Sequence, residues 1–360
     1  MPLPVRLHVG ALLAGLVLGL SATSGAWAQS SGIDRAIITA GTALNDAQKS
    51  ALGAFVSKQA EEIRGSQDAR AVEEARIALV TPARDPAATA TFRRAYSIAL
   101  AAELAPIAKG SDLRRALNAM QALRFGRTSE SIDVLLECTN PSIESNAAKR
   151  IAAAGLVSDA FEDLDANNAY FESAARRLRD AMQGEADWIA IQQKLAGIAS
   201  AARRKELPTD NARNIRKTQA EALAALAKSI NAGAAADARM QSAQRSLVTL
   251  RNDLLVMPAA DRAAVAKVLA PALADFVRTG VAHWDAARAD ATLSASYGSV
   301  FNSCEVLLRI IDREERPQAY AGSRPDADAR VLLPAWESSD KAKFEAEAAR
   351  WSGIVAAYKK

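Results

Sequence analysis

Cysteine is nearly absent: Cys138 and Cys304 are the only two in 360 residues. Two thiols so far apart make no disulfide framework, and without a Cys-x-x-Cys pair they make no redox catalyst. Both lie in amphipathic runs, "SIDVLLEC" and "FNSCEVLLRII", and read as small core residues; a bridge between them, tying the two halves of the chain, is the alternative. Histidine is as scarce. Of the two present, His8 falls in the leading segment, so His283 alone remains, which argues against the common zinc sites with their several His or Cys ligands. Aromatics make up 5% of the chain, and no tryptophan stands between Trp27 and Trp188. Neither Gly-x-x-x-x-Gly-Lys nor Gly-x-Gly-x-x-Gly occurs, which argues against nucleotide binding.

Long hydrophobic runs are missing too. The apolar stretch Val9 to Leu20 covers twelve residues, whereas a membrane-spanning helix needs roughly 20. Arg6 and His8 precede it and Ala26-Trp27-Ala28 follows, so 1–28 reads as a secretory signal peptide cleaved after Ala28. No cysteine stands at that point to carry a lipid anchor. The expected mature chain, Gln29 to Lys360, is soluble and periplasmic or secreted, with no transmembrane segment.

Removing Arg6 with the leader turns 45 basic residues into 44, against 41 acidic, a balance of +3. The two signs are interspersed, which speaks against nucleic acid as a partner. The most basic stretch, "ARRKELPTDNARNIRK", holds Arg203, Arg204, Lys205, Arg213, Arg216 and Lys217. It reads as a solvated junction between helices or as a contact for anionic wall polymer or lipid headgroups. Alanine fills roughly a quarter of the chain beside abundant Leu, Glu, Arg and Lys, a mixture that favours helix.

The apolar spacing agrees. "NDAQKSALGAFVSKQAEEIRG" sets Leu52, Phe55, Val56 and Ile63 on one face. Further helices are expected from Ser66 to a stop at Pro82, from Asp85 as cap with Pro86 in the first position, from Ser111 as cap to Gly126, over 129–138, and from Asn140 as cap with Pro141 first. No window alternates with period two, so no sheet is expected. In the second half, 211–230 and 238–258 read as a long antiparallel helical hairpin joined by "NAGAA". A kink is expected at Pro271, and a Pro-rich extended loop near 317–336. The division expected is a signal peptide (1–28), a helical array (29–207) and a bundle (208–360), with a boundary near Leu207-Pro208-Thr209.

Two helices can be laid over each other about 55 positions apart. "DPAATATFRRAYSIAL" and "NPSIESNAAKRIAAAGL" share a polar residue, a proline, a basic pair (Arg93-Arg94, Lys149-Arg150) and a run of small and apolar residues. Over about 66–164 this resembles the second-helix pattern of HEAT and armadillo repeats. The resemblance implies an α-solenoid whose surface binds another macromolecule.

Chemistry is sparse. His283 in "GVAHWDAAR" has no Gly-x-Ser-x-Gly elbow in the chain to serve. "SSDK", Ser338 to Lys341, matches Ser-x-x-Lys, but the Ser-Asp-Asn and Lys-Thr-Gly elements that accompany it in penicillin-interacting enzymes are missing. The carboxylates of "FEDLDANN", Glu61-Glu62, Glu73-Glu74 and Glu314-Glu315 read as solvated faces rather than a glycosidase pair. "PDADAR" lacks the glycine and distal glutamate of a calcium loop. Of the tryptophans, Trp336 beside the Pro-rich loop is expected to be accessible for binding.

The expectation is an all-α, exported, non-catalytic scaffold or protein-binding protein of the cell envelope that uses no cofactor and meets another envelope or secreted protein. Binding of anionic envelope polymer or headgroups through 202–217 is the second reading. A hydrolase with a site near His283 is the third.

Overall fold

A computed structural model describes residues 32–323, 329–356 and 358, so the expected signal peptide lies outside the described residues. Among the described residues the chain forms helices and no strand. The first nine helices are α1 (Arg35–Ile38), α2 (Asp46–Gly65), α3 (Ala69–Arg84), α4 (Ala90–Ala108), α5 (Leu113–Arg124), α6 (Ser129–Cys138), α7 (Ala147–Ala160), α8 (Asn168–Asp180) and α9 (Trp188–Ala202). Then come α10 (Thr209–Asn231), α11 (Met240–Val256), α12 (Ala259–Ala282), α13 (Trp284–Ala289), α14 (Ala291–Glu315), α15 (Pro317–Ser323), α16 (Leu332–Glu337) and α17 (Lys341–Ala356). None is long and apolar enough to cross a membrane, among the described residues.

Their arrangement is a two-layer stack. In one layer α2, α4, α6, α8, α10 and α12 each pack on the next, and in the other α3, α5, α7, α9, α11 and α14 do the same. Within the pairs α2/α3, α4/α5, α6/α7 and α8/α9 the two layers face each other. At the C-terminal end α17 covers α12, and α16 covers α14. The helices of the first layer begin at 46, 90, 129, 168, 209 and 259, intervals close to the period of about 40–47 residues of HEAT and armadillo arrays. The packing is compatible with a helical-repeat solenoid, and one continuous hydrophobic core runs past Leu207-Pro208-Thr209.

This arrangement corrects the register of the internal repeat. The 55-residue superposition lays α4 of the first layer on α7 of the second, so it matches two helices that occupy different places in the stack. The prolines also sit elsewhere. Asp85 and Asn140 do not cap helices: Asp85 accepts from Ala87 N–H and Asn140 from Ser142 N–H, each closing a turn that stands before the helix. Thr89 and Asn146 are the caps, as Asp68 and Asp112 are where Ser66 and Ser111 were expected. An Asx turn competes with the N-cap for the same side-chain oxygen, and here the turn wins.

The second half also departs from expectation. Helices α10 and α11 touch little; α10 packs chiefly on α12, α8 and α9, and α11 on α14 and α9. They are consecutive members of opposite layers rather than an isolated hairpin. Helix α12 runs unbroken through Pro271. Of the expected loop, 317–323 and 332–337 are helical, and 324–328 lie outside the described residues. Glu305, wholly buried on α14, accepts hydrogen bonds from Val331 N (2.9 Å) and Leu332 N (2.8 Å) and from Arg309, which fixes the start of α16. Trp336 is therefore not accessible. It is 2% exposed, stacks on Tyr297, packs edge-on to Trp284 and Phe301, and donates its indole N–H to Ser294 O at 3.0 Å. Both cysteines are buried free thiols. Burial pushes Cys138 up to about 11 and raises Cys304 as well.

Candidate functional site

The basic junction splits when it folds. Arg203, Arg204 and Lys205 form the turn after α9, while Arg213, Arg216 and Lys217 ride on α10. Three of the six guanidinium and ammonium groups meet carboxylates from neighbouring helices. Asp253 of α11 takes Arg203 at 3.2 Å and Arg216 at 3.3 Å, and Asp261 of α12 takes Arg213 at 2.9 Å. Arg204 lies over the Phe171 ring, 4.6 Å from its centroid, and donates to Leu164 O. Lys205 and Lys217 are exposed and have no partner among the described residues.

The turn 203–206 borders a cleft of about 790 Å³ that crosses α7, α9 and α11, three consecutive members of one layer. Leu195, Ala196 and Ala199 of α9 form its apolar floor. Ser158, Gln192, Ser200, Ser246 and Thr249 add hydroxyl and amide groups, and no aromatic side chain lines it. One bank carries Asp159, Glu162, Asp163 and Asp165 from the end of α7 and the segment after it. The other carries Arg203, Arg204, Lys205 and Glu206 from the turn after α9, with Arg245 on α11.

The banks are held in place. Ser200 donates to Ser158 O at 2.8 Å, joining α9 to α7. Arg127 meets Asp163 at 2.9 Å, and Asp165 N–H donates to Arg127 O at 2.8 Å, pinning 161–167 against the turn before α6. Arg204 reaches the same segment from the opposite bank. At the other end of the pair, Arg150 of α7 makes two 2.7 Å bonds to Glu185, and Lys194 of α9 makes one of 2.8 Å. Burial would push the Glu185 carboxyl up, but hydrogen bonds from Arg150, Lys194 and Asp187 N–H outweigh it and hold it at about 2. Lys194 is itself lowered, chiefly by burial. A cleft whose walls belong to helices tied together in this way needs little ordering when it binds, which favours affinity.

The other sequence candidates are dispersed. His283, 7% exposed at the junction of α12 and α13, has no hydrogen-bond partner at Nε2. Ser338 donates to Pro334 O, and Lys341 lies 3.8 Å from Asp285, so "SSDK" assembles no nucleophile with its base. Asp340 caps α17 through Lys343 N–H. Among the described residues no group of three or more His, Cys, Asp or Glu is placed to hold a metal ion.

Sequence reasoning found the basic junction and the acidic "FEDLDANN" separately and missed that they face each other. The signal was available in their positions: each follows the C-terminus of a helix, and α7 and α9 begin at 147 and 188, one repeat apart. In a two-layer stack such segments emerge at one edge. Gln192, Arg245, Ser246 and Thr249 carried no local signal. No family model matches the chain, no curated protein matches it, and no solved structure matches it.

Proposed function

We propose that this protein is an exported, non-catalytic binding scaffold of the cell envelope, and that its helical stack is a HEAT-type array holding a segment of another envelope or secreted protein. The observation that carries the reading is the braced cleft over α7, α9 and α11, which offers charges of both signs, an apolar floor and hydrogen-bonding groups together. The first-layer spacing of helices, near the HEAT period, supports the repeat assignment. The polymer-binding reading is less well supported, because Arg203, Arg213 and Arg216 are already paired with Asp253 and Asp261. Catalysis by His283 is disfavoured by its burial.

The test is site-directed. A photo-crosslinking amino acid replaces Gln192 or Thr249 in the cleft, and Ile77 on α3 as a distant control, in mature protein incubated with envelope extract. The expected result is one protein adduct of stoichiometric yield from the cleft positions, absent from the control and retained at high salt. Adducts only to wall polymer or lipid, lost as salt screens the charges, would overturn the scaffold reading, as would equal labelling from all three positions.

A further inference from the structure

The charged groups of the cleft divide into those already satisfied and those left open, and the division has a direction. Arg203, Asp163, and Arg204 with Glu206 are engaged within the fold. Among the described residues Asp159, Glu162 and Asp165 have no side-chain partner, and all three stand at the α7 end of the cleft. Lys205 and Arg245 have none among the described residues either, and they stand at the α9 and α11 end. On the floor, Ser246 is 4% exposed and accepts a 2.7 Å hydrogen bond from Gln219 Nε2. The same hydroxyl lines the cleft.

Resting on the binding reading above, we infer that the cleft recognises an extended peptide segment of opposed charge, its basic part against Asp159, Glu162 and Asp165 and its acidic part against Lys205 and Arg245. The dimensions suit this: three packed helices spaced about 8–10 Å apart set the cleft's outer axes about 20 Å from each other, which is the reach of about six extended residues. The chemistry selects a peptide over other polymers. A uniformly anionic chain meets three unpaired carboxylates, and a nucleic acid finds no aromatic side chain on which to stack its bases. The hydroxyls and amide of Ser158, Gln192, Ser246 and Thr249 suit the alternating donors and acceptors of a peptide backbone.

The experiment uses the mature chain and four labelled peptides of about eight residues, blocked at both ends: two half basic and half acidic, one in each order, one wholly basic and one wholly acidic. Fluorescence anisotropy is expected to show one order of the mixed peptide binding about tenfold tighter than either uniform peptide. The double reversal Lys205→Glu with Arg245→Glu is expected to move the preference to the wholly basic peptide while the circular dichroism spectrum stays unchanged. If that variant fails to fold, Lys205→Gln with Arg245→Gln takes its place and is expected to erase the advantage of the mixed peptide over the basic one. Tightest binding of the acidic peptide, equal binding of all, no binding, or a preference untouched by the variants would each overturn the inference. A protein adduct from Gln192 alongside such a failure would leave the scaffold reading standing and remove the charge rule alone.

Discussion

Glu185 is 1% exposed, with Arg150 bonded along one edge of its carboxylate and Lys194 bonded to Oε2. The rest of the network is backbone: Lys194 donates to Ala181 O at 2.8 Å and Arg150 to Ser145 O at 2.8 Å. Removing one member of a buried ion network leaves the others charged and uncompensated, so Glu185→Gln is expected to destabilise the protein by about 3 kcal/mol at pH 7. The pH dependence follows from the carboxyl's displacement from 4.5 to about 2. A lowered carboxyl contributes stability that is complete above about 4.5 and is lost as the pH falls towards 2. Urea unfolding at pH 7 and at stepwise lower pH should therefore show the wild-type advantage over Glu185→Gln shrinking across that window; a constant difference would rule the mechanism out. The two partners do not gain alike, because burial dominates at Lys194 and lowers its pKa in spite of Glu185. Lys194→Met should accordingly cost less than Glu185→Gln, since Glu185 keeps both bonds from Arg150. The sequence showed Lys149-Arg150 as a basic pair but not its partner, which lies 35 positions on in a loop and is brought in only when α7 and α9 pack.

At the scale of single helices, the existence of most was legible, though α15 and α16 stand where an extended loop was expected, and register was less so. Asn45 with Gln48 forms the capping box that opens α2, and of the expected face Leu52, Val56 and Ile63 are buried while Phe55 is half-buried. The starts of α3, α4, α5 and α7 shifted because each is preceded by several residues able to cap, and the choice among them is made by which turn the surrounding packing admits. Glycines show the same division between local and tertiary cause. A helical glycine costs about 1 kcal/mol against alanine, yet Gly53 of α2 and Gly280 of α12 differ entirely in their surroundings. Nothing lies within 4 Å of a methyl group placed on Gly53, while one on Gly280 would stand 2.4 Å from Phe301 Cζ and 2.8 Å from Phe344 Cζ. Gly53→Ala should raise stability by up to about 1 kcal/mol. Gly280→Ala should lower it by about 1–3 kcal/mol, because overpacking the aromatic cluster between α12, α14 and α17 outweighs the propensity gained. Thermal melts of the two single variants check both signs, and a stabilised Gly280→Ala would mean that the aromatic cluster yields readily. Period and composition identify Gly53 and Gly280 equally as helical; only the approach of distant rings separates them.

For the molecule as a whole, the stack makes each helix depend on neighbours one or two places away, so damage should spread locally rather than throughout. The break in composition at Leu207-Pro208 invites a division into two units, but α8 and α9 both pack on α10, and α9 packs on α11 as well. Leu223 and Ile215 of α10 and Leu247 and Leu250 of α11 are buried in the same core as Phe171, Leu178, Leu195 and Ile198. A chain ended at 207 would carry α8 and α9 as an uncovered last pair, with the apolar face that α10 and α11 normally bury open to water. It would also lose Asp253, the partner of Arg203, and with Arg245, Ser246 and Thr249 the α11 wall of the cleft. Hydrogen exchange on 29–207 beside the full chain should show α8 and α9 losing protection while α2 to α5, several places from the cut, keep theirs. Peptide binding to the fragment should be lost with that wall. Full protection of α8 and α9 in the fragment would instead mark 29–207 as an independently folded unit. In that case the second half would be an addition to a finished array, and the charge of opposite sign facing the acidic bank would come from a separate domain rather than from the next turn of the same stack.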